Sequence, residues 1–289
     1  MIGVILALIT AFIYGLSVVL IRERISESNY LSVAVVLSLI GNIILWPLTL
    51  TLINLRNVNI QSIPFFIIAG IFSPGIGRIF YYKGMEKLGV SINASIYATY
   101  PLFSSILATL LLGEIVTPNV WLGIIAIMLG VIFIERSIAR PPNIKTKPIS
   151  RKGLIFPFLA SIIMALSYLS RKYGLNICSE PLLGVTIGYS SALLSQLLVS
   201  RLLRMPLLPS FKDIHLFWRP GVLLILGWTS ATYALNYEKV SVITTIIQVE
   251  PLFILFLTFL KLRELERIST KVVIGTILIV IGVSLVTLK

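Results

Sequence analysis

Residues 101–114 read PLFSSILATLLLGE, and residues 251–264 read PLFILFLTFLKLRE. Each string opens on a proline inside a long apolar run, Pro101 and Pro251, and each closes thirteen residues later on a glutamate, Glu114 and Glu264. The copying extends outward from these anchors. Gly123 and Gly130 have the spacing of Gly275 and Gly282, with Val131 and Val283 following, and Leu16-Ser17 returns as Leu166-Ser167. A pattern written twice in apolar sequence reads as a duplicated membrane domain.

Composition agrees. Hydrophobic residues make up 57% of the 289, charged residues 12%, and the mean hydropathy is +1.00, outside the balance of a soluble domain. Crossing about 30 Å of hydrocarbon takes about 20 residues of helix. Ten such segments are expected, at Ile2 to Ile21, Tyr30 to Ile53, Ile63 to Tyr82, Val90 to Leu112, Pro118 to Ile134, Gly153 to Ser170, Pro181 to Leu203, Phe217 to Tyr237, Ser241 to Leu262 and Ser269 to Leu288. The first lacks a basic leader and has a counterpart in the second half, so it is expected to stay as a helix rather than serve as a cleaved signal. The fold class predicted is an all-α integral membrane protein, with residues 1–135 as one five-helix repeat, 136–152 as a Pro-, Lys- and Arg-rich linker, and 153–289 as the second repeat.

Five is an odd number, so the second repeat must enter the bilayer from the side opposite to the first. The repeats are then inverted, related by a pseudo-two-fold axis in the membrane plane. The net charge of +13 does not point to nucleic acid, because the basic residues sort by membrane side. Eighteen of the 24, from Arg22, Arg24 and Lys83 through Lys145 and Lys147 to Arg267 and Lys271, fall in alternate loops. Arg56, Arg171, Lys172, Lys239 and Lys289 are assigned to the other side, and Arg78 alone to the interior of a segment. The positive-inside rule makes the richer side cytoplasmic and both termini extracytoplasmic in a multi-pass protein of the cell membrane.

Polar residues far from segment ends must find protein or water, which makes them candidates for function. Tyr14 and Ser17 form a stripe on the first helix with Thr10; Asn93, Tyr97 and Tyr100 form one on the fourth with Ser104; Trp228 and Tyr233 mark the eighth. Such stripes can line a pocket or serve helix packing. Gln248 and Glu250 sit on the ninth helix, on different faces unless Pro251 distorts it. Arg78, sharing a face with Tyr82, is a candidate for a substrate carboxylate or phosphate, for snorkelling outward, or for pairing with Glu250. Glu250 is a candidate proton-coupling carboxylate or partner of a substrate amine. Pro101 and Pro251 should kink their helices near the midplane, and Glu114 and Glu264 should accept from the next helix start, at Thr117 or Ser269, in a structural or gating role. Cys178 and His215 are single, so neither a disulfide nor a metal site is expected, and no motif calls for a cofactor.

The run ending in Leu112-Gly113-Glu114, the Glu250-Pro251 pair, the Arg263-Glu264 step, the glycine spacing of the fifth and tenth helices and the five-plus-five plan resemble the drug/metabolite transporter superfamily, in particular its ten-helix EamA-type members. The resemblance covers residues 2 to 288, with Tyr100 standing where the second repeat has Glu250. It implies a secondary transporter, not an enzyme: an exporter or exchanger of a small organic metabolite such as an amino acid, working by alternating access. Its partners would be the lipid bilayer, the solute and, as coupling ion, protons, with the chain a monomer or weak homodimer. The alternatives are multidrug or cation efflux and a non-transporting membrane scaffold. The four-helix multidrug exporters rely on an acidic residue in their first helix, and Ile2 to Ile21 has none.

Overall fold

The computed structural model describes residues 1–88, 90–138, 151–206, 209–261 and 270–287. Hydrocarbon offers the backbone no hydrogen-bond partner, so a chain this apolar satisfies its amides within helices; the described residues contain helices and no strand. The α-helices are α1 (Ile2–Arg24), α2 (Tyr30–Leu52), α3 (Ile63–Gly70), α4 (Gly77–Leu88), α5 (Val90–Tyr97), α6 (Tyr100–Leu112), α7 (Pro118–Ile138), α8 (Ile155–Ile177), α9 (Pro181–Leu202), α10 (Phe211–Tyr237), α11 (Val240–Ile247), α12 (Glu250–Lys261) and α13 (Thr270–Thr287). Three pairs, α3–α4, α5–α6 and α11–α12, are single runs interrupted midway, so among the described residues these helices make ten passes. Seven runs are apolar and long enough to cross a membrane. The others are α7, the α11–α12 run, and α10, whose first turns carry Lys212, Asp213, His215 and Arg219.

Helix starts at the surface are capped by side chains. Asn29 accepts from the amides of Leu31 and Ser32 at the head of α2, and Ser210 and Asp213 form a capping box on α10. The Asp213 carboxylate also accepts from Ser28 Oγ at 2.6 Å, which joins two loops of the same end. Partial burial pushes its pKa up, but the hydrogen bonds from Ser28 and Ser210 outweigh that and hold it below the usual aspartate range.

Two interruptions fall where proline removes a backbone donor: α5 stops at Tyr97 before Pro101, and α11 stops at Ile247 before Pro251. The third was not expected. Span three is broken by Ser73-Pro74-Gly75, where Ser73 is extended (φ −153°, ψ 125°), Gly75 lies at φ −70°, ψ −108°, and the Ser73–Pro74 peptide is cis.

The packing is reciprocal. α1 lies against α10 and against α11–α12; its counterpart α8 lies against α3–α4 and against α5–α6. α2 meets α10 as α9 meets α3, while α2–α9 and α7–α13 join equivalent helices. α7 and α13 cross through glycine: a Cβ on Gly130 would stand 2.6 Å from the Gly275 carbonyl oxygen and one on Gly275 2.7 Å from that of Gly130, and Gly123 and Gly282 repeat the arrangement. Even a methyl group would push the backbones apart. The Met1 amino group is 3.9 Å from Glu238, and Lys172 Nζ donates to the carbonyl of Glu238 at 3.2 Å. The start of α1 and the end of α8 therefore share one end of the molecule, and the two helices are antiparallel. The outward faces, with Leu110, Leu122, Leu194 and Ile277 exposed, suit contact with lipid acyl chains.

Candidate functional site

The interruptions gather around one cavity of about 90 Å³. Tyr97 and Tyr100 line it from either side of the α5–α6 break, Ile247 and Glu250 from either side of the α11–α12 break, and Ser73 and Gly77 from the span-three break. Arg78, Tyr81, Tyr82 and Met85 follow along α4; Tyr14, Val18 and Ile21 contribute from α1; Ala160, Met164, Leu224 and Trp228 complete the wall from α8 and α10. Traced along each helix, these positions run from midspan toward the end that carries the Ser28–Asp213 contact. The volume is below the ~300–1,000 Å³ of sites that enclose drug-sized ligands. Such a space fits a small solute, or widens to load one.

The aromatic residues of the wall form a chain of rings, which is closed behind the lining by Tyr168. Centroid separations are 5.8 Å for Tyr82–Tyr81, 4.7 Å for Tyr81–Tyr97, 5.3 Å for Tyr97–Tyr100, 6.0 Å for Tyr100–Tyr168, 5.8 Å for Tyr168–Trp228 and 6.1 Å for Trp228–Tyr14. Each contact is within the range of favourable ring pairs. The Arg171 guanidinium lies 4.2 Å from the centre of the Trp228 ring, close enough for a cation–π contact.

The break in span three is held by side chains from the other half. Ser167 Oγ donates to the carbonyls of Ala69 (2.8 Å) and Ser73 (2.9 Å), Arg171 Nη2 to that of Ser73 (3.2 Å), and Gln196 Nε2 to that of Pro74 (2.9 Å). Broken backbone at membrane depth is tolerable because these donors satisfy it.

Of the residues singled out from sequence, Tyr14, Arg78, Tyr82, Tyr97, Tyr100, Trp228 and Glu250 line the cavity. Ser17 does not; its Oγ donates to the Pro220 carbonyl at 3.2 Å and ties α1 to α10, as its counterpart Ser167 ties α8 to α3. Asn93 is buried against Gly84 of α4, outside the cavity wall. Tyr233 is 37% exposed on the far side of α10. Gln248 is buried away from the lining, so the kink at Pro251 does not turn Gln248 and Glu250 to one space. Arg78 is 8% exposed and does not snorkel.

Three assignments need correction. Arg171 is not a loop residue: α8 continues to Ile177, and Arg171 is 1% exposed inside the bundle. Arg78 is therefore not the only basic residue inside a span. Glu114 does not cap the next helix; its carboxylate accepts from the amides of Val240 (2.8 Å) and Ser241 (3.3 Å) and from Ser241 Oγ (3.0 Å), at the start of α11. Glu264 lies outside the described residues. Ser73, Gly77 and Met164 of the lining were missed, although the Pro-Gly pair inside span three was a visible sign of a break.

The opposite end is closed by hydrogen bonds. Tyr100 Oη donates to the Thr244 carbonyl at 3.1 Å, Tyr173 Oη to that of Leu111, and Lys239 Nζ to that of Ile115 at 2.8 Å, beside the Glu114 contact. Outside this layer lies a second, polar hollow of about 380 Å³, with Lys172, Asn176 and Glu238 on its wall. Among the described residues no group of three His, Cys, Asp or Glu is placed to hold a metal ion.

This architecture is found elsewhere. A solved crystal structure superposes with a TM-score of 0.78 at 14% identity, over 99% of this chain and 96% of the other. An "uncharacterized transporter" of Archaeoglobus fulgidus is 23% identical over 100% of this chain and 99% of its own, and another of Clostridium kluyveri is 26% identical over 45% of this chain and 42% of its own. The profile of the EamA-like transporter family matches twice, over residues 1–136 and 151–288. The chain is a multi-pass membrane transporter and belongs to the EamA-like transporter family.

Proposed function

We propose that this protein is a secondary active transporter, an exporter or exchanger of a small organic metabolite such as an amino acid, working by alternating access between two inverted five-helix repeats, residues 1–135 and 153–289. The observation that carries the reading is the midspan cavity, built by three interrupted spans and reached from both halves, with a hydrogen-bonded layer on one side of it only. The antiparallel run of α1 and α8 and the reciprocal helix contacts support the inversion. In this conformation the solute enters from the Ser28–Asp213 end; rocking the halves would loosen the Glu114, Tyr100 and Tyr173 contacts and expose it at the other. The aromatic wall supplies apolar contact, and Arg78 and Glu250 supply charge. Glu250 is the candidate for proton coupling or for a substrate amine. The Lys/Arg bias of the loops supports a cytoplasmic Ser28–Asp213 end with both termini outside.

Single cysteines at Tyr97 and Trp228, in a Cys178→Ser background, test the reading in proteoliposomes. Both should react with a membrane-impermeant thiol reagent added at one face and be protected by a transported solute. A cavity that no reagent reaches from either face would favour a scaffold.

A further inference from the structure

Two guanidinium groups inside the bundle keep donors that no group among the described residues accepts. Arg78 lines the cavity, and its Nη1 has no hydrogen-bond partner among the described residues. Arg171 spends Nη2 on the Ser73 carbonyl, while its Nε and Nη1 have no partner among them. A buried charged donor without an acceptor is strongly unfavourable, so such a group implies a ligand that supplies one. Glu250 is the one carboxylate on the cavity wall among the described residues. Arg78 stands on the same wall, and Arg171 lies behind the lining against Trp228, so this part of the bundle sets two guanidinium groups against that one carboxylate.

The backbone adds to this. Arg78 is the second residue of α4, directly after the break, so its side chain and the positive end of a 12-residue helix dipole fall at the same wall. At the break, the carbonyls of Ala69, Ser73 and Pro74 are already engaged by Ser167, Arg171 and Gln196. The Arg78 guanidinium also lies 5.9 Å from the Tyr189 ring centre, a contact that helps to fix its position.

We infer that the solute is an organic acid, which docks a carboxylate or phosphate group on Arg78 and lays an apolar or aromatic body against Tyr82, Tyr97, Tyr100 and Trp228. The inference rests on the transport reading and narrows it. A planar guanidinium fork matches either acid group with two parallel hydrogen bonds. A cationic or neutral solute would leave the positive site uncompensated.

Four probes test it on the full-length protein in lipid nanodiscs, read by thermal shift: 3-(4-hydroxyphenyl)propionate, its primary amide, tyramine and phenyl phosphate. One or both acids should stabilise the protein, with the amide and tyramine weaker by about tenfold or more, as loss of a charge-assisted hydrogen bond requires. The better acid identifies the head group. Arg78→Gln should abolish the effect of the acids and Arg78→Lys should keep part of it; if either variant fails to fold, the probe comparison on the unaltered protein decides. Equal stabilisation by tyramine or the amide, no shift with any of the four, or an unchanged acid affinity in Arg78→Gln would overturn the inference. Uptake of tyramine into proteoliposomes without uptake of the acids would leave the transport reading standing and remove only this one.

Discussion

The Glu114 contact offers a measurable account of how the closed end is held. Its carboxylate receives three hydrogen bonds at the first turn of α11, two from backbone amides that have no intrahelical partner. Capping side chains contribute about 0.5–2 kcal/mol, and hydrogen bonds to a charged acceptor about 1.5–3 kcal/mol. Glu114 is half-buried beside the polar hollow, so water can replace part of what is lost, and Glu114→Ala should cost about 1–3 kcal/mol. Glu114→Gln keeps one acceptor without the charge and should cost less. Equilibrium unfolding in mixed micelles measures both, and a double-mutant cycle with Ser241→Ala should give a coupling of about 0.5–1.5 kcal/mol. In transport terms, removing about 1–3 kcal/mol from one of two conformations shifts their ratio by about 5- to 150-fold. A cysteine near Lys239 should then gain access to thiol reagents. Zero coupling with Ser241, or Glu114→Gln more damaging than Glu114→Ala, would refute the capping argument.

Four further outcomes are expected. Gly130→Ala and Gly275→Ala should each destabilise by about 1–3 kcal/mol, and to similar extents because each new Cβ meets the other's carbonyl; unfolding of the two variants side by side checks this. Ser167→Ala strips a donor from two carbonyls of the span-three break and should cost more stability than Ser17→Ala, which strips one from a single longer contact; equal losses would contradict the bracing role. Asp213 has a depressed pKa in the folded protein, so its contribution is present above the unfolded value near 3.8 and is lost as pH falls through the folded value. The difference in melting temperature between the unaltered protein and Asp213→Asn should hold from pH 7 to 5 and shrink below about pH 4. Glu250→Gln should abolish proton-linked uptake while sparing solute exchange, and unchanged proton dependence would remove Glu250 from the coupling role.

What could be read from sequence followed what is local in the chain. Apolar length gave the spans, and Pro101 and Pro251 gave two of the three interruptions, because a missing amide acts on its own helix wherever that helix lies. Arg171 was misplaced for the converse reason. A cation ends an apolar window, while the groups that make it tolerable, the Trp228 face and the Ser73 carbonyl, are 57 and 98 positions away. The Glu114 partner is 126 residues distant, so only coordinates could assign it. Helical spacing put Asn93 on the stripe of Tyr97 and Tyr100, but spacing fixes a face and not its neighbour, and Gly84 occupies that neighbouring place. Gln248 and Glu250 stayed on separate faces, as an unbent helix would have them.

The glycine seam between α7 and α13 is isologous in form: Gly123 meets Gly282 and Gly130 meets Gly275, so one surface patch serves both partners. A single half beside an upside-down copy of itself would bury that same patch, with no second sequence required to complete it. Joining the copies in one polypeptide fixes their ratio at one to one and frees them to specialise. Here the specialisation is visible, since the severed span and its guanidinium belong to one half and the uninterrupted α10 to the other.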